Sequence, residues 1–165
     1  MSDVKKVEKA RDDLLQNARS LTIATILDEA KSQIETGFSP FARLEDGAFI
    51  IYTSRLSAHV RALLDGRPAQ FTLIQDEAAA SNIWARHRLK FTANIAEIPR
   101  DDPHFEAYCA LIGARSGPTM ALIQQFTDFH LLKLTPQEGV LVTGFAAAYK
   151  VEGAYFTITE HLSKT

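Results

Sequence analysis

Cysteine is almost missing from this 165-residue chain: Cys109 stands alone. No internal disulfide can staple the fold, which must rest on its core. Set in an apolar helical pattern, Cys109 reads as a core residue rather than a nucleophile. Tryptophan is as scarce, with Trp84 the single copy. No run approaches the ~20 apolar residues of a membrane span, and the charged start Met-Ser-Asp-Val-Lys-Lys lacks the apolar stretch of a signal peptide. The expected location is cytoplasmic. Neither sign of charge is in excess: 18 Lys and Arg against 20 Asp and Glu leave a formal net charge of -2. Without a broad basic field, nucleic acid and anionic membrane are poor partners, and any cation cluster is local. The chain also lacks GxGxxG, P-loop, HExxH and GxSxG motifs and paired CxxC elements. Its five histidines, at positions 59, 87, 104, 130 and 161, have no spacing of a preformed zinc site. Chemistry here would have to be carried by a bound cofactor.

What is present suits one globular domain spanning 1–165: 46% hydrophobic and 23% charged residues. Residues 1–19 hold Val4, Val7, Ala10, Leu14 and Ala18 at helical spacing, predicting an amphipathic helix. Strands are predicted at 20–27, 33–41, 48–53, 69–75, 84–98, 129–134, 140–145, 149–151 and 155–162 from β-branched and alternating patterns. Turns are expected at Glu45–Gly47, Pro136–Gly139 and Glu152–Gly153. Helices are predicted near 57–65 and 102–126, the first capped by Ser57, the second opened at Pro103 and interrupted at Gly113 or Gly117. The fold class is therefore α+β, mainly β, on an antiparallel and closed sheet.

The most informative stretch is Trp84-Ala85-Arg86-His87-Arg88-Leu89-Lys90-Phe91-Thr92. As a strand it sends Trp84, Arg86, Arg88, Lys90 and Thr92 to one face and Ala85, His87, Leu89 and Phe91 to the other. Cations about 6.6 Å apart on such a ladder repel one another, which a bound phosphate or carboxylate would relieve. A solvated outer face of a half-buried strand fits the same pattern. The corner Ser54-Arg55-Leu56-Ser57-Ala58-His59 offers a capped helix start, suited either to an anion or to plain capping.

Five segments in order resemble one family: Ser39-Pro40-Phe41; Thr53-Ser54-Arg55-Leu56-Ser57-Ala58-His59; Ala85-Arg86-His87-Arg88-Leu89-Lys90-Phe91; Thr127-Asp128-Phe129 with Leu132-Lys133-Leu134-Thr135-Pro136; and Gly144-Phe145-Ala146-Ala147-Ala148-Tyr149-Lys150-Val151. They look like the FMN-binding split-barrel proteins related to pyridoxamine 5'-phosphate oxidase, most closely their haem-utilisation branch, over about residues 20 to 162. The resemblance implies an antiparallel Greek-key split β-barrel with flanking helices, a homodimer, and a small, planar, anionic ligand in each cleft between subunits. In flavin-binding members Arg, Lys and hydroxyl groups hold the FMN phosphate, which carries over to Arg88 and Lys90 on the strand and to Ser54 and Ser57 at the corner. In the haem branch Arg88, His59 and Asp128 match, Asp128 as the acid supporting an axial histidine across the dimer. That branch continues past its His-Leu pair to a Gly-His element, whereas this sequence reads His161-Leu162-Ser163-Lys164-Thr165, so either His161 would have to substitute as the iron ligand or haem would lack its usual protein ligand. The leading expectation is an FMN-dependent oxidoreductase. Its alternatives are a haem-binding protein that stores or degrades haem, in the manner of a haem oxygenase, and a non-catalytic ligand-binding dimer.

Overall fold

The computed structural model describes residues 3–162. Strict alternation makes β1 (Ser20–Asp28), whose Leu21, Ile23 and Thr25 are buried while their neighbours face out. It pairs on one side with β2 (Gln33–Pro40) and on the other with β5 (Ala69–Ile74). The sheet continues through β6 (Arg88–Ile98), β7 (Phe129–Gly144), β4 (Phe49–Ser54) and the short β3 (Ala42–Arg43), every pair antiparallel. β2 also packs beside β4, which closes the barrel.

β7 is the spine. One edge lies along β6 over most of its length, while the other is divided between β4, at 129–134, and β8 (Ala147–Glu152), at 138–144. The sheet therefore forks, and β8 pairs with β9 (Thr157–Leu162) as a hairpin whose connecting turn returns Phe156 to the barrel core. The turn expected at Pro136–Gly139 does not exist. Pro136 stands opposite Ala93, beside a register shift between Phe91 and Ala93. At such a bulge a proline's missing N–H costs the ladder little, so two predicted strands are one.

Inside the barrel Phe49 and Phe71 stack on Phe91 at centroid distances of 5.1 and 5.5 Å, and Phe156 meets Phe91 edge-on at 5.1 Å. Val7, Leu14 and Leu15 of α1 (Asp3–Asn17) cover this core. Arg115 fastens the end of that helix, donating to the carbonyls of Gln16 and Ala18 with its guanidinium over the Phe41 ring. A second core lies on the outer side of β4 and β7, where Ile50, Tyr52 and Leu131 meet Phe105, Cys109 and Ile112 of α3 (Phe105–Ser116) and Met120 of α4 (Thr119–Ile123). Burial raises the Cys109 thiol to about 11, in keeping with a packing role. The remaining helix, α2 (Ala58–Leu64), follows β4 and packs on β1 and β2. Among the described residues no helix is long and apolar enough to cross a membrane.

Candidate functional site

The chain leaves β4 through a corner that is tied to a distant turn. Ser54 Oγ donates to Asp128 Oδ2 at 2.5 Å and accepts from the Leu56 N–H, while the Arg55 N–H donates to the Asp128 carbonyl at 2.8 Å. Ser57 takes the N-cap position of α2, yet its side chain makes no capping hydrogen bond. Ser57 lines a cavity of about 310 Å³ with Ser54, Phe38, Tyr52, Met120 and Phe129. That volume stands at the lower end of the ~300–1,000 Å³ of ligand pockets.

The turn that carries Asp128 is held by a residue with no local sequence signal. Arg100, just past β6, donates to the carbonyls of Gln124, Phe126 and Phe129 and to the Tyr52 hydroxyl, with its guanidinium over the Phe105 ring. Tyr52 in turn donates to the Gln124 carbonyl at 2.9 Å. One arginine thus sets the 124–129 turn against the sheet, and through it Asp128 and Phe129.

Two expectations about the cationic stretch need correction. Residues 83–85 form a 3-10 turn, and the strand begins only at Arg88, so Trp84 and Arg86 are not rungs of the ladder. Arg86 donates twice to the Gln75 carbonyl, at 2.8 and 2.6 Å, and pairs with Glu77 at 3.1 Å. It closes the β5–β6 connection and is spent there. Arg88 and Lys90 do project from the outer face. Arg88 is half-buried, donates only to the Arg86 carbonyl, and has no carboxylate partner among the described residues.

The register shows how these parts lie relative to the corner. Lys90 is opposite Thr72, Thr72 opposite Thr22, and Thr22 opposite Phe38, one transverse row on a single face of the sheet. Phe38 belongs to the cavity with Ser54 and Ser57. Three strand spacings separate Lys90 from Phe38, about 14 Å. The basic positions and the hydroxyl corner are therefore two ends of one surface rather than one cluster.

The two histidines take positions the sequence did not indicate. His59 is buried, and its ring lies against β2: a Cβ on Gly37 would sit 2.2 Å from His59 Cε1. Its Nε2 has no partner among the described residues, and burial pushes its pKa below the usual value, opposed by the nearby Glu35 carboxylate. It does not line the cavity. His161 stacks on Tyr149 at 4.7 Å, and its Nε2 is 3.1 Å from the Ala146 carbonyl, to which it can only donate. That nitrogen is occupied, so in this arrangement His161 Nε2 is not free to bind iron. Among the described residues no group of three His, Cys, Asp or Glu side chains could hold a metal ion.

No family model matches the chain. Across 159 residues, 96% of this chain and 89% of the other, it is 29% identical to the haem oxygenase HutZ of Vibrio cholerae serotype O1. The crystal structure of HutZ, described as a haem storage protein, superposes with a TM-score of 0.72 at 27% identity, covering 84% of this chain and 94% of HutZ. These likenesses support the resemblance to the haem-utilisation branch of the pyridoxamine 5'-phosphate oxidase-like split-barrel superfamily. The split-barrel fold is shared with Campylobacter jejuni ChuZ at a TM-score of 0.83 and 24% identity, over 99% of this chain. This chain spans 65% of the length of ChuZ. The expected mainly antiparallel barrel with flanking helices is thus the observed one.

Proposed function

We propose that this split-barrel chain binds haem, on a surface completed by a second copy, and serves haem utilisation. One observation carries the reading: Lys90 stands about 14 Å from Phe38, which lines the cavity with Ser54 and Ser57, along a single outer face that Arg88 shares two residues earlier on the strand. A phosphate needs its donors converging on one point, whereas a wide planar ligand with carboxylates at one side needs cations at one end and an apolar cavity at the other. Arg88 suits a propionate because a guanidinium gives directional, bidentate bonds to a carboxylate and has no competing acid among the described residues. The similarity to HutZ along nearly the whole chain supports the same reading in preference to flavin.

The chain's own residues fit the macrocycle and its carboxylates better than they fit the iron. Ser54 holds one oxygen of Asp128 and leaves the other to accept from a ligand or from the second copy. Haem, when bound, supplies an iron able to engage dioxygen, which is what a haem-degrading activity would require. The second copy is supported by Ile34 and Phe38, each 67% exposed on the outer face of β2, where a solitary chain has no reason to leave them bare.

An absorbance titration tests this directly. Hemin is expected to give a saturable Soret band, and FMN under the same conditions no uptake. Absence of any saturable change with hemin would overturn the proposal.

A further inference from the structure

The haem reading leaves unexplained why two large aromatic side chains stand almost bare at one end of the basic strand. Trp84 is 80% exposed and Phe145 is 72% exposed. Both are carried by short, well-anchored turns rather than by long loops. The Trp84 N–H donates to Asn82 Oδ1 at 3.0 Å, and its turn is tied to β5 by Arg86 on the Gln75 carbonyl. Phe145 sits in the two-residue connection of β7 to β8, because Gly144 already pairs with Ala147.

The next residue, Ala146, has φ of 52°, a left-handed conformation costly for a residue with a Cβ. His161, stacked on Tyr149, braces that strained turn by donating to the Ala146 carbonyl.

Register brings the two aromatics to the same place. Arg88 is opposite Val142, so in an antiparallel pair the chain just past Val142 runs alongside the chain just before Arg88. The 83–85 turn touches β7, as this requires. The turns that carry the two aromatics therefore lie side by side just beyond Arg88, whose guanidinium has no acid of its own among the described residues.

We infer that Trp84 and Phe145 form an aromatic rim that grips the ring plane of a planar ligand whose carboxylate Arg88 takes, and, resting on the haem reading, that this ligand is a porphyrin. Aromatic faces stack on a delocalised ring without regard to its metal. The rim accordingly acts on metal-free protoporphyrin IX as well as on hemin. His161 is a positioning residue for it, acting through the Ala146 turn.

Protoporphyrin IX and hemin titrations of the full chain and its variants test the inference. Trp84→Ala and Phe145→Ala are each expected to weaken binding of both porphyrins by about tenfold, the scale of one aromatic contact. Trp84→Phe and Phe145→Tyr should stay within about threefold of wild type for the same reason. Both sites are exposed, so circular dichroism and thermal unfolding should be unchanged. Wild-type affinity in both alanine variants would overturn the rim while leaving haem binding intact. Failure of the wild type to bind either porphyrin would overturn the haem reading itself. The single tryptophan supplies a further check. A concentration-dependent blue shift of its emission without ligand would mean that a second copy covers it, and would also overturn the rim.

Discussion

Ser54 and Asp128, 74 residues apart, are joined by a 2.5 Å hydrogen bond from Oγ to Oδ2. It pins the end of β4 to the turn before β7. Removing the hydroxyl leaves a half-buried carboxylate short of a donor, so Ser54→Ala should lower stability by about 1–2 kcal/mol in urea unfolding. An unchanged midpoint would mean the corner is held by the Arg55 backbone bond alone.

Gly37→Ala should be costly although nothing about its backbone demands glycine, because the new methyl collides with the His59 ring. A loss of about 1–3 kcal/mol is expected for such overpacking. The double variant Gly37→Ala with His59→Ala should recover most of it. If the double variant is no better, the ring does not occupy that space.

His59 also sets a pH dependence. Its folded pKa is lowered from an ordinary value of 6.5 by burial, so the unfolded chain takes up its proton first as pH falls. Its contribution is therefore full above 6.5 and is lost as pH drops below that value toward the folded pKa. Glu35 opposes the shift and softens the slope. Urea unfolding at pH 7.5 and at pH 5.5 should show the difference in wild type and a smaller one in His59→Phe. Equal slopes in the two proteins would assign the pH dependence to other groups.

His161→Gln separates two roles. If His161 braces the Ala146 turn, hemin should bind the variant with an unshifted Soret maximum, since glutamine can still donate to a carbonyl. A shifted or lost band would make His161 an iron ligand after all.

Period-2 alternation made most of the barrel readable, because each strand has one face in a core dominated by Phe49, Phe71 and Phe91. The Ser54–His59 corner and the outward placement of Arg88 and Lys90 were legible for the same local reason. What escaped was set by contacts distant in sequence. Arg86 looks like a rung until Gln75, eleven residues earlier, offers its carbonyl. Pro136 reads as a turn because the bulge that excuses it lies on β6. Phe38, Tyr52 and Met120 meet at one cavity only after two helices fold back over β4, and Arg100 fixes the Asp128 turn through carbonyl oxygens that every residue has. No residue type marks such a place in a sequence.

The most direct test of a porphyrin lying along the outer face is the hemin affinity of wild type against Arg88→Ala. A saturable Soret band at one haem per chain is predicted, weakened in the variant by about 1.5–3 kcal/mol, roughly ten- to hundredfold, as a charge-assisted bond to a propionate is lost. Equal affinity in the two proteins, with both still folded, would contradict it.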